Sequence, residues 1–185
     1  MSSGSINVIT GPMFSGKTSE LVRRIKRFIL SNFKCIIIKH CEDNRYRYNE
    51  DDINKVYTHD RLFMEAIASS NLSVLVPKIL KDGIEVIGVD EGQFFLDIVE
   101  FSESMANLGK IVIIAALNGD FKRELFGNVY KLLPLAETVS SLTAICVKCY
   151  REASFSKRIT ESQEVMDIGG KDKYMAVCRK CFFSK

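Results

Sequence analysis

Short apolar runs alternate with segments of helical period along most of the chain. The runs are rich in β-branched side chains and contain few polar residues, which is typical of strands buried on both faces of a parallel sheet. Helical segments between such strands indicate βαβ units. The sequence therefore predicts an α/β fold with a parallel sheet flanked by helices. The predicted strands are residues 6–10, 34–40, 84–89 and 111–117.

Two longer segments have the period of amphipathic helices, residues 17–33 and residues 97–110. The second is expected to stop at Gly109, because glycine favours helix ends. Residues 61–70 are predicted as a further short helix. Residues 41–60 are polar and without period, which predicts a long loop. The apolar face of the first helix comprises Leu21, Ile25, Phe28 and Ile29, at the spacing of helical neighbours.

The composition changes after Leu142. The remaining residues contain short β-like pieces, a Gly-Gly turn and four of the six cysteines. This change predicts two parts, an α/β domain over residues 1–142 and a small separate module over residues 143–185.

Composition narrows the class of protein. The 185 residues are 46% hydrophobic and 26% charged, as expected of a soluble globular chain with one domain and a small appendage. A net charge of +3 is too small to argue for nucleic acid. The basic run around Arg23 and Arg27 indicates a solvated helix face, with a nucleic-acid patch as the alternative.

The expected location follows from two absences in the sequence and from the cysteines. No run approaches the roughly 18 apolar residues of a membrane span, so no membrane partner is expected. The N-terminus lacks the basic region and apolar core of a secretory signal. The cysteines are therefore expected to be reduced thiols or metal ligands in an intracellular, cytoplasmic setting.

The segment GPMFSGKT follows the first strand and opens the first helix. It matches G-x-x-x-x-G-K-[ST], a loop whose backbone N–H groups cradle phosphates. Lys17 would place its charge on the β- and γ-phosphates, and the Thr18 hydroxyl would bind Mg²⁺. The sequence therefore predicts a nucleoside triphosphate site, formed by Gly11, Pro12, Met13, Phe14, Ser15, Gly16, Lys17 and Thr18.

An apolar pair inside this loop is unusual, because gripping phosphate does not require it. Met13 is predicted to contact an acceptor molecule. Phe14 is predicted to pack under the loop.

Two adjacent carboxylates end the third strand. Asp90 stands where a phosphate-loop site needs its second Mg²⁺ contact. Glu91 is placed to orient or deprotonate a nucleophile. Spacing alone does not distinguish water, which would make the protein an ATPase, from an alcohol, which would make it a kinase.

Two C-x-x-C pairs, Cys146/Cys149 and Cys178/Cys181, lie in the C-terminal part. Two such pairs form a tetrahedral Cys₄ site, the arrangement of structural zinc. The segment between them is polar, and Gly169 and Gly170 let its backbone approach a ligand closely. Physical reasoning leaves two interpretations of equal weight, a plain surface hairpin or a zinc-tethered loop that covers an acceptor with help from Tyr174.

Together these segments resemble the thymidine kinases of the cytosolic and poxvirus type, most closely the poxvirus members. The motifs GPMFSGKT, DNRY…THD, DEGQFF, EASFSKR, IGGKDKY and the paired cysteines occur in the family's order along nearly the whole chain. The resemblance implies transfer of the ATP γ-phosphate to the thymidine 5′-hydroxyl. It also implies a P-loop α/β domain with a small zinc domain, a tetramer, and feedback inhibition by thymidine triphosphate (dTTP).

The resemblance assigns roles by position. It implies that Glu91 is the general base and that Asp90 lies near Mg²⁺. Gln93 falls in a nucleotide-contacting stretch, and Asp43 and Arg45 match a phosphate-side loop. Positions matching the nucleoside pocket are Met13, Phe94, Leu117, Phe121 and Phe126. Positions matching a zinc-tethered lasso over thymine are Val165, Met166, Asp167, Ile168, Gly169 and Tyr174. The four cysteines match the zinc ligands.

Some positions depart from the family pattern. Asn118 and Asp120 stand where the family commonly has Asp and Thr, and Asp167 replaces an apolar residue. The 42–57 loop is longer and more acidic than in close relatives. These departures bear on selectivity and affinity. Two other functions remain open, a zinc-bearing ATPase that binds nucleic acid and an inactive regulatory binder.

Overall fold

The computed structural model describes residues 3–41, 55–57, 63–161, 164 and 169–184. In chain order the helices are α1 (Lys17–Leu30), α2 (Val76–Lys81), α3 (Ile98–Asn107) and α4 (Arg179–Phe183). The strands are β1 (Ser5–Gly11), β2 (Cys35–His40), β3 (Lys55–Tyr57), β4 (Phe63–Glu65), β5 (Ile67–Ser69), β6 (Val86–Val89), β7 (Ile111–Leu117), β8 (Thr138–Ser141), β9 (Ala144–Ile145), β10 (Glu152–Ala153), β11 (Phe155–Arg158) and β12 (Tyr174–Val177).

Six strands form one sheet in the order β5-β2-β6-β7-β1-β8. Every neighbouring pair in it is parallel, so all six carboxyl ends meet at one edge. The predicted α/β class with a flanked parallel sheet is confirmed. The central strands carry the apolar runs of the sequence, and β6 is buried at all its positions.

Each face of the sheet is covered by its own apolar cluster. On one face α3 contributes Ile98, Phe101 and Met105 to a cluster that includes Phe95. On the other face Leu21 and Ile25 of α1 pack against strand residues. Burial on both faces explains why these strands read as continuous apolar runs rather than as alternating ones.

The predicted helix over residues 61–70 is wrong. In its described part the chain forms β4 and β5, and β5 pairs in parallel with β2 from Ile38↔Ile67 to His40↔Ser69. The sheet edge satisfies the backbone of this segment, and such tertiary pairing overrides a weak local helix preference. Part of the predicted long loop is also a strand, because β3 pairs antiparallel with β4.

Helix α1 ends earlier than predicted. Asn32 has a φ of 63°, and the N–H groups of Ser31 and Asn32 bond to the carbonyls of Phe28 and Ile29. This left-handed residue turns the chain out of the helix. In contrast, α3 stops near Gly109 as predicted, and Gly109 has a φ of 79°.

After Leu142 the chain forms two small antiparallel sheets, β9 with β10 and β11 with β12. A third apolar cluster lies here and includes Cys146, Cys181 and Ala176. Among the described residues, no helix combines the length and apolar character that crossing a membrane requires.

Candidate active site

The site lies at the carboxyl edge of the sheet, where ligands bind in open parallel sheets. Gly11 ends β1, Leu117 ends β7, and Asp90 directly follows β6. These three strands are neighbours in the order β6-β7-β1. The topology therefore brings the phosphate-binding motif and the Asp-Glu pair, which are distant in sequence, to the same place.

The loop between β1 and α1 has the shape of a phosphate cradle. Gly16 begins the helix with a φ of 81°, a conformation that favours glycine. Gly11 is needed for close approach instead, since a Cβ there would lie 2.6 Å from the carbonyl oxygen of Leu142. The Ser15 hydroxyl donates to the Pro12 carbonyl at 2.8 Å. The predicted strand–loop–helix context of the motif is confirmed.

Lys17 and Thr18 are the first two residues of α1 and carry polar side chains. The Thr18 hydroxyl lies 3.1 Å and 3.2 Å from the two carboxylate oxygens of Asp90. Lys17 is buried, and its ammonium group donates to the Pro12 carbonyl at 2.7 Å. Asp90 is 4% exposed. A hydroxyl and a carboxylate at this spacing are the ligands that Mg²⁺ takes in phosphate-loop sites.

Glu91 is held in a specific orientation. It has a φ of 53°, which is uncommon for a residue with a side chain, and it is 6% exposed. The Gln93 side-chain amide nitrogen donates to the Glu91 carboxylate at 2.5 Å, and the Gln93 side-chain oxygen (Oε1) accepts from the Leu117 N–H at 3.0 Å. Gln93 thus anchors the carboxylate to the end of β7.

Several of the aromatic residues predicted to surround an acceptor contact one another or a shared arginine. The rings of Phe94 and Phe126 meet edge to face at 5.7 Å between centroids. The guanidinium of Arg158 lies 3.8 Å from the centroid of the Phe121 ring and 5.0 Å from that of Tyr174. Tyr174 is 8% exposed. Four of these aromatic side chains therefore form two groups: Phe94 and Phe126 contact each other directly, and Phe121 and Tyr174 are joined through Arg158.

The phosphate loop is bonded to the C-terminal part of the chain. The Met13 N–H donates to the Ser156 hydroxyl of β11 at 2.9 Å, and both residues are buried. Phe14 has a φ of 64°, and its side chain packs against the third apolar cluster. The Phe14 side chain therefore has its packing partners in the C-terminal part of the chain. The unusual feature of this residue is its left-handed backbone conformation.

Asn118 and Asp120, the two residues of the loop after β7 that the resemblance singled out, have hydrogen-bond partners. The Asn118 amide donates to the Ser154 carbonyl at 3.1 Å. One Asp120 oxygen accepts from the N–H groups of Lys122 and Glu124, both at 2.8 Å. These bonds fix the loop that follows β7.

Four cysteine sulfurs form a cluster. The sulfur atoms of Cys146, Cys149, Cys178 and Cys181 all lie within 4.8 Å of one another, and those of Cys149 and Cys178 are 3.6 Å apart. A tetrahedral zinc with bonds of about 2.3 Å spaces its sulfurs by about 3.8 Å. The donor set and its spacing therefore fit one tetrahedral metal ion with no open position.

Ionisation of the cluster is uneven. Burial opposes it at Cys146, but hydrogen bonds from the backbone at Cys178, Lys148 and Cys149 lower the pKa of Cys146 to about 6. Burial, together with the neighbouring sulfurs, raises the pKa of Cys181 to about 12. A divalent cation would favour the thiolate at every position.

Six predicted site residues lie outside the described part of the chain. They are Asp43, Arg45, Val165, Met166, Asp167 and Ile168. Gly169 is described at the edge of this gap. A Cβ on Gly169 would lie 2.5 Å from the Lys173 side chain, so the chain passes close to itself there.

A family model described as thymidine kinase matches residues 4–182. The chain belongs to the thymidine kinase family. Among its relatives within this family, it is 88% identical over 184 residues to the thymidine kinase of Fowlpox virus (strain NVSL), covering 100% of both chains. It is 51% identical to that of Sheeppox virus (strain KS-1) over 99% of both chains. It is 52% identical to the human cytosolic thymidine kinase over 98% of this chain and 74% of the relative.

The family inferred from the short motifs is thus confirmed, but sequence reasoning missed two buried residues at the site. Ser156 and Arg158 alternate with Phe155 and Lys157 along β11. Alternation was the available signal, because side chains two apart in a strand share a face. The alternation does not show which face of the strand is buried, and two polar residues do not indicate a buried face.

Proposed function

We propose that this member of the thymidine kinase family transfers the γ-phosphate of ATP to the 5′-hydroxyl of thymidine, giving thymidine monophosphate and ADP. The observation that carries the proposal is the meeting of Thr18, Asp90 and Glu91 at one sheet edge, with Gln93 bonded to Glu91 at 2.5 Å. Phosphoryl transfer has a loose transition state, so positioning and charge neutralisation contribute most of the catalysis.

The phosphate end of the site acts through charge. The backbone of residues 11–18 would bind the ATP phosphates, and Lys17 would leave the Pro12 carbonyl to reach the β- and γ-phosphates. Thr18 and Asp90 would hold Mg²⁺, which when bound neutralises developing phosphate charge. Asp43 and Arg45 are proposed to contact the same phosphates.

The acceptor end acts through proton removal and exclusion of water. Glu91 would accept the proton of the 5′-hydroxyl, in the orientation that Gln93 gives it. Met13, Leu117 and Tyr174 are proposed to surround the nucleoside. The other proposed contacts are Phe94, Phe121, Phe126, Val165, Met166, Asp167, Ile168 and Gly169. Excluding water here would protect ATP from hydrolysis.

Thymine would be selected by the backbone of residues 165–169. Its O4 accepts and its N3–H donates, whereas cytosine presents the reverse pattern. Buried groups left without a partner discriminate strongly against the wrong base.

The cysteine cluster is proposed to hold a structural zinc ion, since the four sulfurs fit a closed tetrahedral site. The division into an ATP-binding domain (residues 1–142) and a zinc-bearing lasso domain (residues 143–185) belongs to the same proposal. By family likeness we further propose a homotetramer, feedback inhibition by dTTP, a cytoplasmic location (the host cytoplasm if the protein is viral) and no nucleic-acid partner.

The proposal is tested with a panel of nucleosides, ATP and Mg²⁺, measuring monophosphate formation. Thymidine should be the preferred acceptor. Preferred transfer to deoxycytidine, or to no nucleoside, would overturn the proposal.

The role of Glu91 is tested by Glu91→Gln, which keeps size and hydrogen bonding but removes the base. Its kcat should fall about 10²–10⁴-fold with unchanged thermal unfolding. Glu103→Gln, on the exposed face of α3, is the matched control and should retain full activity. Near wild-type transfer by Glu91→Gln would show that another group takes the proton.

A further inference from the structure

Arg158 is a buried cation between two of the aromatic side chains at the site. It ends β11 and pairs with Tyr174 of β12 in the strand register. Arg158 is only 8% exposed. Its guanidinium carbon lies 3.8 Å from the Phe121 ring centroid, close enough for face-on stacking of a planar cation.

The same guanidinium donates hydrogen bonds to two groups in the described part of the chain. One goes to the Tyr174 hydroxyl. The other goes to the backbone carbonyl of Glu164 at 2.5 Å, directly before the residues proposed to read the base. One side chain therefore joins the loop after β7, strand β12 and the segment that leads into the proposed lasso.

Arginine is suited to this task and lysine is not. A guanidinium is planar, so it can stack on one ring while its edge donates to two acceptors in fixed directions. A lysine ammonium is a point charge and cannot do both at once. Removing the cation would also leave the Tyr174 hydroxyl and the Glu164 carbonyl without this donor.

We propose that Arg158 is a positioning residue of the nucleoside pocket. It holds the Phe121 ring, the Tyr174 hydroxyl and the chain at Glu164 in the arrangement that receives the base. It acts through these groups and takes no part in phosphate transfer. The inference deepens the proposed function and rests on it.

A second arginine, Arg123, also connects the loop after β7 with the C-terminal part of the chain, and it provides a matched comparison. Arg123, in the loop after β7, lies 4.6 Å from the ring centroids of both Phe182 and Phe183. It is exposed, and so is Phe183. Arg123 therefore holds the same loop from the outside, where such contacts stabilise less.

The test compares Arg158→Met, Arg158→Lys and Arg123→Met. For each variant, KM and kcat are measured for thymidine, with KM for ATP, bound metal and thermal unfolding. Both Arg158 variants should raise the thymidine KM at least tenfold. Their ATP KM should stay within twofold and their kcat within threefold. Arg123→Met should change the thymidine KM less than threefold.

A merely structural role for Arg158 predicts a different result. Thermal unfolding would then shift while the thymidine KM stayed unchanged, or Arg123→Met would match Arg158→Met in KM. Either outcome overturns the inference. If Arg158→Met fails to fold, Arg158→Lys carries the comparison.

A double-mutant cycle tests the mechanism directly. Tyr174→Phe removes the hydroxyl that Arg158 holds, so its effect on KM should be at least threefold smaller in an Arg158→Lys background. Fully multiplicative effects would overturn the assignment. Failure of the proposed function would look different, because the wild-type protein itself would then prefer another nucleoside or none.

Discussion

Gly127 offers a sharp test of how tightly the acceptor side of the site is built. It has a φ of 63°, and a Cβ added there would lie 2.2 Å from the backbone carbonyl oxygen of Gln93. Ordinary contact begins at 3.4 Å, so Gly127→Ala must separate two backbone segments by about 1.2 Å. One of these segments carries Gln93, which orients Glu91, and the other follows Phe126.

The cost has two parts that a control can separate. A left-handed φ costs an alanine about 1–2 kcal/mol, partly offset by about 0.4–1 kcal/mol from a less flexible unfolded chain. Crowding of this kind adds about 1–3 kcal/mol. Gly83 has a similar φ, 65°, but among the described residues a Cβ there would meet only the Lys34 ammonium group, at 3.8 Å. Gly83→Ala therefore isolates the first part.

The expected free energy of unfolding, from urea denaturation, falls by about 1 kcal/mol for Gly83→Ala and by about 2–4 kcal/mol for Gly127→Ala. Displacement of the site by about 1 Å should also lower kcat/KM for thymidine on the order of 10²-fold in Gly127→Ala. Gly83→Ala should leave kcat/KM within twofold. Equal stabilities of the two variants, within about 0.5 kcal/mol, would refute the reasoning.

Two further predictions concern the C-terminal part. Ser156→Ala removes the acceptor of the buried Met13 N–H and should lower the free energy of unfolding by about 1–3 kcal/mol. Ser156→Thr keeps a hydroxyl, so its free energy of unfolding should fall less. Equal decreases in the two variants would contradict the role of this hydrogen bond. Zinc binding at pH 7 should release protons, because the Cys181 thiol, whose pKa is raised to about 12, must ionise to become a ligand. Zinc affinity should therefore fall as pH falls. The number of protons released is measured by calorimetry of zinc binding in buffers with different heats of ionisation. Zinc binding without proton release would contradict the expected coupling between binding and ionisation of Cys181.

The central strands and the phosphate loop could be predicted from sequence because each depends on local pattern. Buried parallel strands appear in the sequence as continuous apolar runs, and a phosphate-binding loop of N–H groups requires glycines at a fixed spacing. The edge strands could not be predicted in the same way. Strand β8 is largely exposed, and β5 is a short piece whose strand conformation depends on pairing with β2, so neither leaves such a run.

The contacts across the site depend on partners that are distant in sequence. Met13 and Ser156 are separated by 143 positions, and no periodicity relates them. The sequence alone does not indicate the place of Arg158, because a basic residue in a polar segment is expected in solvent. Its burial becomes understandable only when Phe121 and Tyr174 are seen beside it.

The conformation of Phe14 limits how the phosphate-binding motif can be used in protein engineering. A left-handed φ at a phenylalanine persists only where surrounding structure holds it, and here the C-terminal apolar cluster packs against that ring. The eight-residue motif can therefore be transferred to another protein as a sequence, but its loop conformation would not be transferred with it. Grafting it elsewhere, or shortening this chain to residues 1–142, would separate the loop from the residues that set its backbone.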